Sequence, residues 1–528
     1  MERGLCYHKS MLRLENIKVF ENMSDEEILK KALKKYRIRP SDVVNSCIAK
    51  KSIDARDKKN VHYLYAFDVE VTDEEKYPSI RKSLPQPELF INKRRISRYR
   101  PVIVGAGPAG LFCALTLIEY GYKPIIIERG SNVEARRKYV EEYRQTGILN
   151  PACNVQFGEG GAGTFSDGKL TTGINSPHIS KVLKTFHEFG APEEVTYLAH
   201  PHIGTDNLQK ILVNIRKHIE DQGGTYLFDT RLANISREGD LLKLDLGETV
   251  METDCVVLAI GHSARDTFEM LYRNRIAMKR KDFSVGVRIE HLQEDINRAQ
   301  YGEYTRLKLP AAEYKLSYHD QETGRACYSF CMCPGGEVIA SSSDPDGIVT
   351  NGMSNFARDG RNANAALLVN VTADDLAGDS PLEGIYFQKE LERRAWQLGG
   401  QNGHAPVQRY EDFKENRPST ELGKVIPSYK PGYRLSNLNE ILPDYVSATL
   451  KKGISYFGGK IRGFDDPDAV LTGLETRTSS PVTIIRDERM QASIPGIYPC
   501  GEGAGYAGGI TSAAVDGIKV AISIIESE

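Results

Sequence analysis

A chain of 528 residues is too long for one compact core, so two or three domains are expected. Its 40% hydrophobic and 27% charged residues fit an ordinary soluble protein, and no apolar run reaches the ~20 residues of a membrane-spanning helix. The formal charge of −2 hides an asymmetry: residues 1–100 hold 23 basic against 15 acidic side chains, a net +8, and the rest hold 46 against 56, a net −10.

The first twenty residues, MERGLCYHKSMLRLENIKVF, mix charges throughout and lack the apolar centre of a signal peptide. The nine cysteines are scattered and odd in number, with no C-x-x-C, which argues against a disulfide framework or a zinc site. A cytoplasmic location without a bound metal is expected. Residues 12–20, LRLENIKVF, alternate like a half-buried strand. Ser24 is placed to N-cap the helical run SDEEILKKALKKYRI, whose apolar face is Ile28, Leu29, Ala32, Leu33 and Tyr36. VVNSCIAKKSIDA and HYLYAFDVEV read as strands joined by the charged turn RDKKN. Residues 1–97 thus form a small basic α+β module, with a Pro-rich, basic link over 77–100. Its runs KKSIDARDKK and NKRRISRYR read as solvated surface or as contacts to an anionic partner such as nucleic acid. No aromatic-bearing RNA motif accompanies them.

At residue 101 the pattern changes. PVIVGAGPAGLFCALTLIEYGYKPIIIERG runs from a short apolar strand through three glycines into a helix ending at Gly121, then back into a strand. Gly105, Gly107 and Gly110 fit G-x-G-x-x-G in strand–turn–helix context. Gly105 permits the tight turn, Gly107 lets backbone approach a pyrophosphate, and Gly110 lets helix and strand pack closely. The helix N-terminus would hold phosphates, and Glu128 would accept from ribose hydroxyls. This fingerprint fits NAD or FAD. CVVLAIG adds a buried strand ending at Gly261, beside the cofactor. Near the end, IPGIYPCGEGAGYAGGITSAAVDGIKVAISII reads as a strand, a Gly-rich loop carrying Glu502, and a helix from about Thr511. An acid on such a loop can bind a ribityl hydroxyl, and the helix N-terminus can stabilise charge on a reduced flavin.

Together the fingerprint, the AIG strand and the terminal loop resemble the two-dinucleotide-binding-fold flavoproteins, in which both ends of the chain grip one FAD. VQFGEGGAGTFSDGKLTTG, YSFCMCPGGEVIASSS, TNGMSNFARDGRNANAALLV and LETRTSSPVTIIRD are similar to a bacterial family of FAD-dependent proteins usually described as uncharacterised dehydrogenases. Glu502 stands where Asp is usual and can make the same hydrogen bond. The resemblance implies an α/β fold: a discontinuous Rossmann-like FAD-binding domain, 98–268 with 486–528, and an inserted β-rich substrate or cap domain, 269–485. It also implies cofactor contacts at Gly105, Gly107, Pro108, Ala109, Gly110, Glu128 and Arg129 in the first half. The loop after the second strand would run along the cofactor, with Gly160, Gly161, Gly163 and Thr164 as contacts and Ser166, Asp167 and Lys169 as polar neighbours. Gly261, Gly501 and Glu502 would follow, with Glu502 at the ribityl–pyrophosphate region and Gly509, Ile510 and Thr511 under the ring. Leu170 after Gly168-Lys169 excludes a Walker-type phosphate loop.

In the insertion, FSVGVRIEH, YKLSYHD, CYSFCMCPGGEVIASS and NAALLVNV read as strands. Arg288, Arg358 and Arg477 are candidates for binding an anionic group, or are structural ion pairs. Cys331 and Cys333 share a strand face and are either a redox pair or inert packing, and Cys500 reads as packing. His200 and His202 lack a third metal ligand and read as a loop into a helix capped by Thr205 or Asp206. His262, Lys169 and Arg477 are the acid–base and catalytic candidates. No second G-x-G-x-x-G follows, so NAD(P)H would bind transiently, or the substrate would itself supply electrons. The expected function is an FAD-dependent oxidoreductase passing a hydride through flavin N5. The alternative is a flavin-binding factor that meets RNA or protein through residues 1–97.

Overall fold

The computed structural model describes residues 11–83, 99–303 and 306–527. The amino-terminal periodicities become the strand Met11–Val19, the helix Asp25–Tyr36 and the strands Val43–Asp54 and His62–Val71, with Lys82–Ser83 completing a four-stranded sheet. Ser24 closes a full capping box with Glu27, as its spacing implies. Ile28, Ala32 and Leu33 pack with Leu12, Leu14 and Phe67 into a core of the module's own. Most of the run NKRRISRYR lies outside the described residues.

Five strands, Ile497–Pro499, Val256–Leu258, Val102–Val104, Ile125–Ile127 and Thr225–Leu227, form a parallel sheet in that spatial order. Its side chains alternate between two cores. Ile103, Ile126, Val257 and Tyr498 face the helices Pro108–Glu119, Thr205–Asp221 and Ile510–Glu526. Val102, Val104, Ile127, Val256 and Leu258 face the opposite layer with Phe268 and Leu271. Such two-sided burial explains why these short strands read as unbroken apolar runs. The strand from the chain's end lies beside Val256–Leu258, which in turn pairs with Val102–Val104, so the last segment completes the sheet begun at residue 102. The helices Pro108–Glu119 and Ile510–Glu526 meet backbone to backbone: a Cβ at Gly517 would lie 2.1 Å from the Ala109 carbonyl oxygen.

A second sheet has seven strands, in the order Ser317–His319, Ala326–Cys333, Asn362–Val371, Phe283–Leu292, Val470–Glu475, Ala405–Arg409 and Tyr433–Leu435. The region 269–485 is less strand-rich than its sequence suggests, because the helices Gln293–Tyr301, Glu383–Gly399, Tyr410–Lys414 and Asp444–Gly458 also belong to it. YKLSYHD gives a strand only over Ser317–His319.

Candidate functional site

Backbone geometry at the carboxyl edge of the parallel sheet opens a cavity of about 1000 Å³. The chain leaves Val104 into Gly105 and Gly107, and the helix Pro108–Glu119 starts with Gly107 as an N-cap that offers no capping side chain. Across the cavity the helix Ile510–Glu526 starts after Gly509, also without a side-chain cap. Two helix N-termini therefore present orphan amide donors and positive potential to one space. The second glycine loop docks on the first: Gly160 N–H donates to the Ala106 carbonyl at 2.8 Å.

Gly105, Gly107, Pro108, Ala109, Glu128, Arg129, Gly161, Gly163, Gly261, Glu502, Gly509 and Ile510 all line this cavity, as do Ser166, Asp167, Lys169, His262 and Arg477. Gly110, Gly160, Thr164, Gly501 and Thr511 do not; each packs or bonds within the protein beside the lining. Gly110 sits against Gly105, and Gly160 against Thr164 and Leu212. The Thr164 carbonyl accepts from Thr205 Oγ1 at 2.8 Å, and the Thr511 hydroxyl is drawn away to the Leu170 carbonyl, also at 2.8 Å. Gly501 N–H donates to Asp516 at 2.7 Å, and Asp516 is held in turn by Arg486. Glu128 accepts from three backbone amides, Ala106 at 2.9 Å, Gly158 at 2.9 Å and Gly130 at 3.0 Å. Its carboxylate locks both glycine loops together and retains lone pairs for hydroxyls. Arg129 stacks over Phe157, 4.3 Å from the ring centroid, and pairs with Asp266.

Of the two readings of the three arginines, the contacts favour structural ion pairs, because internal carboxylates take their donors. Arg288 forms a two-pronged pair with Glu475, both contacts 2.9 Å, and is fully buried. Arg358 pairs with buried Asp167. Arg477 donates to Glu392 at 3.0 and 2.7 Å and to Asp344 at 2.8 Å. Neither Thr205 nor Asp206 caps its helix; Gly204 is the N-cap, and Asp206 instead accepts from Phe356 N–H at 2.8 Å. His202 stacks on Phe356, and its Nε2 meets the Phe356 carbonyl at 3.0 Å. His200 pairs with Glu313, which also accepts from Lys169 at 3.2 Å. That charged group marks an opening of the cavity, since 69% of the His200 side chain is exposed. Cys500 and Cys331 both reach the lining.

His262 has a defined tautomer. Gln156 Nε2 donates to the Ser341 carbonyl at 3.0 Å, so Gln156 Oε1 must accept from Ser263 Oγ, also at 3.0 Å. With its only hydrogen used there, Ser263 Oγ accepts from His262 Nδ1–H at 3.0 Å, which leaves Nε2 as the acceptor nitrogen. Burial, aided by Arg477 and Arg265, pushes the imidazole down to about 3. His262 is therefore a neutral acceptor at physiological pH, which corrects its role as an acid.

Burial pushes Glu502 up to about 7, partly opposed by Lys281, whose ammonium donates to the Gly505 carbonyl at 3.0 Å. A carboxyl raised in the folded state stabilises fully below its ordinary value of 4.5, and that contribution is lost as pH rises through about 7. Glu502→Gln is thus expected to match the parent's stability near pH 4 and exceed it above about pH 8 by about 1–2 kcal/mol, discounted for the side chain's contact with the cavity. Thermal unfolding of the FAD-free proteins across that range checks this, and a difference that does not grow with pH would contradict it.

Arg136, on the helix Val133–Thr146, carries no signal in the sequence. It is wholly buried and donates to the carbonyls of Asn154, Val155, Gly158, Glu159 and Gly161 at 2.6–3.2 Å. It thereby moulds the whole second glycine loop.

These features fit FAD: a cavity of about 1000 Å³, two helix N-termini without side-chain caps and close-approaching glycine backbones. A family model for "FAD-dependent protein, C-terminal domain-like" matches residues 282–478, and one for a domain of unknown function (DUF8436) matches residues 11–70. An uncharacterised protein of Clostridium beijerinckii (strain ATCC 51743 / NCIMB 8052) is 47% identical over 527 residues, covering 98% of each chain. The chain belongs to that protein's family. FAD is the cofactor of this FAD-dependent protein. Solved structures similar to this family member include CtdE in complex with FAD, at 11% identity over 81% of this chain and 84% of that one, TM-score 0.31. Another is the glycine oxidase of Geobacillus kaustophilus, at 11% identity over 82% and 96%, TM-score 0.34. Likeness of that depth carries no argument about activity.

Proposed function

We propose that the chain is an oxidoreductase in which 98–268 with 486–528 hold FAD and 269–485 supply the substrate side. The observation that supports this best is the single cavity with an uncapped helix N-terminus on either side, after Gly107 and after Gly509. FAD, when bound, supplies a flavin whose N5 takes and gives a hydride. The protein's part is placement. The turn Gly105–Gly107 and the helix after it bind phosphates, Glu128 meets the ribose, and the N-terminus at Ile510 stabilises negative charge on the ring. His262 Nε2 offers a neutral acceptor on the wall, and the Lys169–Glu313–His200 group orients a polar small-molecule substrate at the opening. A nicotinamide serves as a transient hydride donor.

The basic run KKSIDARDKK gives little support to an RNA-binding role. Lys58 engages Gln300, Arg56 pairs with Asp54, and Lys51 lies over the rings of Tyr63 and Tyr65. The module instead clamps segments that reach the cavity: Lys51 N–H donates to the Tyr197 carbonyl at 3.0 Å, and Tyr63 OH to the Lys308 carbonyl at 2.8 Å. The purified protein is expected to show a bound-flavin spectrum that bleaches anaerobically with NADH or NADPH. A colourless protein that cannot be reconstituted with FAD would sink this reading; bleaching by a metabolite alone would make it a dehydrogenase or oxidase without nicotinamide.

A further inference from the structure

The ladder between Ala326–Cys333 and Asn362–Val371 breaks between Phe330 and Cys333. Cys331 sits in that bulge at φ 42°, a region costly for a residue with a side chain. A regular strand would place Cys331 and Cys333 alike on one face. Here Cys331 lies on the cavity wall, while Cys333 is fully buried behind it, opposite Asn364. The Cys333 thiol donates to the Cys331 carbonyl oxygen at 3.3 Å. Arg288 Nη1 donates to that same carbonyl at 3.2 Å. The nearby Tyr314 hydroxyl is buried without a hydrogen-bond partner, so a polar contact is left open beside the pair.

The surroundings favour a thiolate at Cys331. Its hydrogen bond with Cys333 lowers it to about 7 against the cost of burial, with Arg288 and Lys169 helping and Glu475 opposing; Glu502 faces it across the cavity. The hydrogen bond with Cys331, followed by burial, pushes Cys333 well up, and burial also raises the thiols of Cys113, Cys327 and Cys500.

We propose that Cys331 and Cys333 are a redox-active dithiol that reduces a small disulfide entering the FAD cavity. The Cys331 thiolate attacks one sulfur of the substrate; its S–S bond breaks, and the first thiolate leaves and takes a proton. Cys333 then gives up its proton and attacks the Cys331 sulfur, which breaks the mixed disulfide and releases the second thiolate. The dithiol is oxidised by two electrons and the substrate reduced to two thiols. The protein disulfide returns to the dithiol by two electrons and two protons, with a nicotinamide as reductant and FAD as carrier. Only this return step rests on the oxidoreductase reading above.

The full-length FAD-loaded protein, reduced and freed of reductant, is mixed anaerobically with bis(2-hydroxyethyl) disulfide and mapped by tandem mass spectrometry. The parent is expected to gain a Cys331–Cys333 link, Cys333→Ser to hold a mixed disulfide on Cys331, and Cys331→Ala to gain neither. Iodoacetamide should label Cys331 of the parent at pH 7 roughly tenfold faster than an ordinary thiol. No adduct on Cys331, or labelling that titrates like an ordinary thiol, overturns the proposal, and the labelling result decides alone if Cys333→Ser does not fold. Flavin bleaching by a nicotinamide is scored separately, so a failed return step cannot be mistaken for an inert thiol pair.

Discussion

Gly110→Val is expected to purify without FAD and to unfold at a lower temperature than the parent. Even a single Cβ at position 110 would lie 2.0 Å from the Gly105 carbonyl oxygen and 3.2 Å from Ile103 Cγ2. The backbone oxygen cannot swing aside as a flexible side chain could. Gly105 cannot yield either, because it holds φ at 108° and its own Cβ position lies 2.2 Å from the Ala259 carbonyl oxygen. The helix must therefore lift off the strand, at the 1–3 kcal/mol or more typical of overpacking. That shift moves Gly107, Pro108 and Ala109, which line the cavity. We expect FAD affinity to fall by at least about a hundredfold, equivalent to about 2.7 kcal/mol. Gly173→Ala is the matched control, since Gly173 also lines the cavity but a Cβ there meets nothing within 4 Å. Flavin content after gel filtration and a fluorescence titration of FAD into the apoproteins measure both. An FAD-replete Gly110→Val variant of parental stability would refute the close-packing argument.

Glu392→Gln is expected to cost about 3–5 kcal/mol of stability, the usual consequence of removing one partner from a buried ion pair. Glu392 is 1% exposed and holds two guanidinium groups: Arg265 at 2.7 and 2.8 Å and Arg477 at 3.0 and 2.7 Å. Thr476 Oγ1 adds a hydrogen bond at 2.8 Å, and the Asp344 carboxylate also pairs with both arginines, with the Ser343 hydroxyl accepting from Arg477. The amide keeps the shape but leaves two buried cations facing one remaining carboxylate. The two arginines hold the Glu392 carboxyl down at about 2 against burial. A depressed carboxyl contributes stability that is present above its ordinary value of 4.5 and is lost as pH falls towards 2. The gap between parent and variant should therefore be constant from about pH 6 to 8 and narrow below about pH 4.5. Replacing Glu392, Arg265 and Arg477 together with Leu, Met and Met should recover much of the loss, because no charge is then stranded. Equal stability of Glu392→Gln and the parent in urea at pH 7 would show the network to be energetically idle.

Residues near one another in the chain carried most of what could be read without coordinates. Gly105, Gly107 and Gly110 announce their turn because the strand before and the helix after fix what the backbone must do between them. Ser24 and Glu27 likewise fix a helix start within four residues. The strand, loop and helix around Glu502 were legible for the same reason, whereas the pairing of that segment with the first fingerprint came only from the resemblance to flavoproteins. For Arg288, Arg358 and Arg477 the sequence left anion binding and structural ion pairing both open, because their partners are far off: Glu475 lies 187 positions from Arg288, Asp167 lies 191 from Arg358, and Glu392 lies 85 from Arg477. Arg136 gave no signal in the sequence because the carbonyls it gathers belong to a later irregular loop.

By itself, then, the sequence determined where backbone must come close and which strands are buried on both faces, since glycine placement and hydrophobic period are local properties of the chain. Tertiary structure alone decided which charges are already neutralised, which tautomer His262 holds and which of two alternate cysteines reaches the cavity. The physical reason is that a buried charge takes whichever partner the packing brings to it, and a one-residue bulge, invisible in composition, turns Cys331 onto the wall of the FAD cavity.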